Sequence, residues 1–80
     1  MKSVSLKAPT WQILTHSFLS NVFTDEWIYQ RGPYQWEIPW PLTDYQRGRI
    51  DTYSDIRAEG YKVSLAGDDR AIITFEVIEY

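Results

Sequence analysis

Four carboxylates on one predicted helix are the residues whose type and spacing most suggest chemistry. At 100° per residue, Asp44, Asp51, Asp55 and Glu59 fall within an arc of about 80°. Asp51, Asp55 and Glu59 follow i, i+4, i+8 spacing. Like charges so placed repel by a few tenths of a kcal/mol per pair. One reading is a solvated helix face. The other is an acidic stripe that meets Arg and Lys on a partner and imitates a phosphate backbone. Arg47 lies beside the stripe and can pair with Asp51, which softens the second reading. If the stripe binds, charge reversal at Asp51, Asp55 and Glu59 should spare folding and slow association.

The second constellation is aromatic. Trp27, Tyr29, Tyr34, Trp36 and Trp40 sit close together in the chain, with Arg31 at the centre of the block. Core is the default place for such rings in a small domain. They are too many for one inner face of two short strands, so some are expected outside. Exposed Trp, Tyr and Arg are the residues that interface hot spots use. A stacking platform for single-stranded nucleic acid also uses aromatics on a sheet, inside a basic groove. This block carries Asp25, Glu26 and Glu37 instead.

Catalytic patterns are missing. The sequence has no glycine-rich phosphate loop, no HExxH and no nucleophile elbow. His16 is the single histidine and there is no cysteine, so a transition-metal site would rest mostly on carboxylates. Gly67-Asp68-Asp69 lacks the twelve-residue spacing of oxygen ligands in a calcium loop and reads as a turn. No cofactor is implied, and a non-enzyme is expected.

The elements that must position these residues can be read in order. Residues 1–9 read as a short edge strand or extended arm, with Val4 and Leu6 alternating and Pro9 ending it. Residues 10–23 read as a helix with Thr10 as N-cap. Trp11, Leu14, Phe18, Leu19 and Val22 share its apolar face and Ile13 opposes them. Residues 25–40 read as a hairpin that turns at Arg31-Gly32-Pro33, with Tyr34, Trp36, Ile38 and Trp40 alternating. Pro39 and Pro41 place that strand at an edge or leaving the sheet.

Residues 42–59 read as the second helix. Thr43 and Gln46 form a capping box, Leu42 precedes it as a staple, and Gly60 is the expected C′ glycine. Leu42, Tyr45, Ile50, Tyr53 and Ile56 span an apolar arc of about 140°. Arg49 falls in that arc, where its stem is expected to snorkel or its head to pair with Glu76. Gly48 is expected to admit a close backbone. Residues 61–80 read as a hairpin whose second strand alternates Ile73, Phe75 and Val77 against Ile72, Thr74 and Glu76.

The expected fold is one α+β domain over residues 1–80, with two helices on an antiparallel sheet of about four strands in the order arm-α-ββ-α-ββ. Eighty residues leave no room for a second core. Eleven acids against eight bases give −3, which argues against phosphate-backbone binding and leaves room for a basic partner surface. No apolar run approaches the roughly 18 residues of a membrane span, and a cytoplasmic location is expected.

The function expected from these features is a non-enzymatic protein-binding module. It would block a larger target through the acidic stripe of Asp44, Asp51, Asp55 and Glu59 and through anchors from Trp27, Tyr34, Trp36, Trp40 and Arg31. Phage inhibitors of host defence (anti-CRISPR proteins among them) and toxin-immunity proteins share this size and surface by analogy. The alternatives are a subunit of a virion or other assembly, and a small nucleic-acid-binding module.

Overall fold

The computed structural model describes residues 8–77. The element order is α1 (Ala8–Val22), β1 (Tyr29–Gly32), β2 (Gln35–Pro39), α2 (Asp44–Arg57), β3 (Gly60–Leu65) and β4 (Arg70–Glu76). This is the expected α+β architecture, with four antiparallel strands in the order β1-β2-β4-β3. The predicted arm falls outside the described residues through position 7. Its last two residues are helical instead: α1 begins at Ala8, so Pro9 lies in the first turn and Thr10 is not the cap. A proline fits that turn, where its missing N–H costs nothing and its fixed φ is already helical.

Alternation decides which way each strand faces. Ala71, Ile73 and Phe75 of β4 are buried and lie against Ile38, Trp36 and Tyr34–β2 backbone on one side. Both helices cover this inner face. Trp11 of α1 lies edge-on to Phe75 at 5.6 Å and to Tyr34 at 5.3 Å. Tyr53 of α2 meets Phe75 at 6.0 Å and stacks on Phe18 of α1 at 4.0 Å. The Trp11 indole N–H also donates to the carbonyl of Arg57 at 2.8 Å, which ties α1 to the last residue of α2.

The capping box of α2 forms as the sequence predicts: Thr43 Oγ1 accepts from Gln46 N at 3.1 Å, and Gln46 Oε1 accepts from Thr43 N at 3.0 Å. The helix is rotated from its expected apolar arc. Ile50 and Ser54 are its buried residues, with Ala58 buried just past its end, while Tyr45 and Ile56 remain 64% and 60% exposed. Arg49 snorkels as expected, but its head lies over Phe18 and bonds the Tyr45 hydroxyl at 2.6 Å; Glu76 pairs with Lys62 instead.

Two glycine expectations are corrected. Ala58 is the C-cap in an extended conformation, and Gly60, with φ 144°, opens β3 instead of closing the helix. A Cβ at Gly48 would meet nothing within 4 Å, so no backbone approaches it. Gly48→Ala is therefore expected to stabilise the chain by about 1 kcal/mol. Urea unfolding of the variant, with an unchanged slope and a higher midpoint, checks this.

Candidate interaction surface

The outer face of the sheet carries no helix among the described residues. Register places Tyr29 opposite Glu37, Glu37 opposite Ile72, and Gln35 opposite Thr74, all on that face. Glu37 is the informative residue. It stands mid-strand on the outward side, yet only 7% of it is exposed. β2 is a central strand, so neighbours on both sides cover the carboxylate.

Those neighbours are cationic. Arg31 donates from Nε at 2.9 Å and from Nη2 at 2.6 Å, both to Glu37 Oε1. Arg70 Nη1 lies 3.9 Å from Oε2. A carboxylate with so little water gains from two cations, and removal of Arg31 would strand much of its charge. Arg31 is thereby held over the Tyr29 ring, with its guanidinium carbon 5.8 Å from the centroid. Trp27 stacks on Tyr29 at 5.6 Å and 27°. Trp27 and Tyr29 stay 37% and 56% exposed. Together with Glu37, Asp69 and Arg70 they line an open concavity of about 240 Å³. The result is a fixed aromatic pair on the open face, braced from a buried ion pair.

The aromatic block thus divides. Trp36 is fully buried and is no surface anchor; its indole N–H donates to Nδ1 of His16 at 3.1 Å. Tyr34 is half-buried at the β1–β2 turn and packs inward on Trp11. Trp40 is half-buried just past the end of β2, where its N–H donates to the carbonyl of Asp69 at 3.0 Å. Pro39 accordingly ends a central strand: of the two expectations, an edge position does not hold, and the chain leaving the sheet at residues 39–41 does. Tyr29 and Glu37 gain importance that sequence reading did not give them.

The acidic residues lie elsewhere. Asp44, Asp51 and Asp55 are exposed on α2. Glu59 is exposed too, but the helix ends at Arg57 and not at the expected residue 59, so Glu59 lies beyond it, with its backbone N–H donating to the carbonyl of Glu76 at 2.7 Å. Asp44 occupies the first turn, where it complements the helix dipole. Asp51 accepts a hydrogen bond from the Tyr61 hydroxyl of β3. The stripe therefore runs along the β3 edge, whereas Trp27 and Tyr29 border β1 at the opposite edge. Three strand spacings separate these edges by about 14 Å. That exceeds the Debye length of roughly 8 Å at physiological salt, so salt largely screens the stripe from the aromatic pair.

The Tyr61–Asp51 bond has a pH consequence. Burial, then the hydrogen bond and charge of Asp51, push the Tyr61 hydroxyl up from 10.0 to about 12. The folded chain keeps this proton after the unfolded chain has released it. The associated stability is whole below about pH 10 and lost between about pH 10 and 12. Burial also raises Tyr53. Tyr61→Phe is expected to flatten the alkaline decline, read as urea midpoints at about pH 9 and about pH 11.

Among the described residues, no group of three or more His, Cys, Asp or Glu is placed to hold a metal ion. No helix of the described residues is long and apolar enough to cross a membrane. Comparison with protein-family models, with curated proteins and with solved structures finds no match to this chain.

Proposed function

We propose that this chain is a non-enzymatic protein-binding module whose contact surface is the open face of the sheet at β1. The observation that supports it is the Trp27–Tyr29 stack, exposed yet fixed in place by Arg31 on the buried Glu37. Trp, Tyr and Arg are the side chains that dominate interface energetics. Rings already held in position lose little freedom on binding, which raises the affinity they supply. Beside the rings Glu37 is already paired with Arg31 and Arg70, so the expectation of a basic partner rests on the chain's net charge of −3 and on Asp69 at the rim.

The stripe on α2 forms a second, separate contact for Lys and Arg. A partner that reaches both must wrap the sheet from one edge to the other. Small size and net negative charge support the further step to a blocking role against a larger, basic target, of the phage anti-defence or toxin-immunity kind.

The test is capture from the native host by tagged wild type, Trp27→Ala, and the double variant Asp55→Lys with Glu59→Lys. Loss of a protein partner with Trp27→Ala, in a chain that still folds, supports the reading. Capture indifferent to Trp27→Ala contradicts it. If the double variant also captures normally, the stripe is only a solvated face. Salt-sensitive binding of a single-stranded oligonucleotide that is lost with Trp27→Ala would assign the face to nucleic acid instead.

A further inference from the structure

A different face carries an observation that the proposed function does not use. Helix α1, APTWQILTHSFLSNV, contains no Asp, Glu, Lys or Arg. All eleven acids and eight bases of the chain lie outside it. Surface helices ordinarily place charged residues on the side away from the core. The outward side of α1 instead presents Ile13, 72% exposed, and Leu14, 36% exposed, with His16, Ser17 and Ser20. Charge depletion around exposed apolar residues is the composition of an interface core.

The relief of this face is also informative. A hollow of about 580 Å³ runs along one side of α1, bounded by Pro9, Gln12, His16 and Gln30. A second, of about 380 Å³, runs between the helices, bounded by Leu14, Phe18, Tyr53 and Ile56. Ser17 borders both, so a small residue sits on the ridge that divides them. Ile13 and Ile56 project beside the two hollows.

We propose that the outward face of α1 is a self-association surface and that its partner is a second copy of this chain. Three points select that occupant. A face bearing both projections and hollows can satisfy itself across a two-fold axis, because each copy supplies what the other lacks. Two copies at −3 each repel through their acidic faces, whereas α1 itself carries no charge and Arg57 is, among the described residues, the one charged residue lining the two hollows beside it. A basic partner of the kind suggested for the sheet would find no carboxylate on α1 to engage. The available area sets the strength. Fifteen residues make a helix about 22 Å long. One short helix with its flanks makes a contact at the small end of specific interfaces, so the dimer is weak and concentration-dependent.

Sedimentation equilibrium of the purified chain tests this between about 5 μM and about 1 mM. The mean mass is expected to rise from 9.5 kDa towards twice that value. Ile13→Lys should keep the far-UV spectrum and melting temperature of wild type and remain monomeric throughout. The chain has no cysteine, so single thiols report proximity without background. Ser17→Cys should form a disulfide-linked dimer on mild oxidation much faster than Ser64→Cys, which lies on the outer face of the sheet. A wild type that stays monomeric at about 1 mM overturns the proposal. So does a dimer that survives Ile13→Lys, or a Ser64→Cys chain that cross-links as fast as Ser17→Cys.

Discussion

Trp11→Ala is expected to destabilise the chain by about 3–5 kcal/mol. Trp11 is fully buried and touches every layer of the domain. Its ring meets Tyr34 at 5.3 Å, Phe75 at 5.6 Å and Trp36 at 6.0 Å. Its N–H satisfies the carbonyl of Arg57 at the end of α2. Truncation opens a cavity between helix and sheet and also leaves that carbonyl without its partner. A chain of this length has a total stability of roughly 4–12 kcal/mol, so the variant should be partly or largely unfolded. Urea denaturation followed by far-UV circular dichroism measures the effect. Trp11→Phe, which keeps much of the packing but loses the donor, should fall between wild type and alanine. A loss below about 1 kcal/mol for Trp11→Ala would mean that α1 does not pack as described.

Trp27→Ala is expected to have the opposite profile. Its side chain is 37% exposed and its ring contact is with Tyr29, itself 56% exposed. Stability should change by about 1 kcal/mol or less, the scale of a partly solvated aromatic pair. Binding of the partner should weaken by at least about 2 kcal/mol, a factor of roughly 30, as for a central aromatic anchor. Tyr29→Ala should act in the same direction, because it removes the surface on which both Trp27 and Arg31 rest. Trp36→Ala would not discriminate: that ring is fully buried, and its loss lowers binding only by unfolding the chain.

The contrast between Trp11 and Trp27 marks what was legible in the sequence. Some local signals are legible, although Thr10 and Gly60 do not cap their helices as expected. Thr43 and Gln46 form their capping box because both partners lie within one turn. Strand β4 alternates because its two faces meet different surroundings, helices on one side and solvent on the other. Signals that depend on distant neighbours were not legible. The arc of α2 was centred on its large apolar residues. The helix turns Ile50 and Ser54 inward instead, and a small polar side chain such as Ser54 is one that a hydropathy pattern undervalues.

Glu37 shows the same limit at the candidate site. In the sequence it is one polar residue of an alternating strand. Its burial follows from β2 being central and from Arg31 and Arg70 arriving from the two flanking strands. One signal was available: with the hairpin turning near Pro33, Arg31 and Glu37 have the parity to meet on one face. The strand order that adds Arg70 was not in the local pattern. The same order sets the Asp51 side of the acidic stripe and the aromatic pair at opposite edges of the sheet.

A photoreactive benzophenone side chain placed at position 29, with irradiation in the native host, tests most directly which side of the molecule does the work. A matched variant carries the group at position 65, where Leu65 is exposed at the far edge of the sheet. Covalent capture of a discrete protein from position 29, at least as strong as from position 65, is the result expected of a binding face at β1. Capture from position 65 alone, or none from position 29, would contradict it.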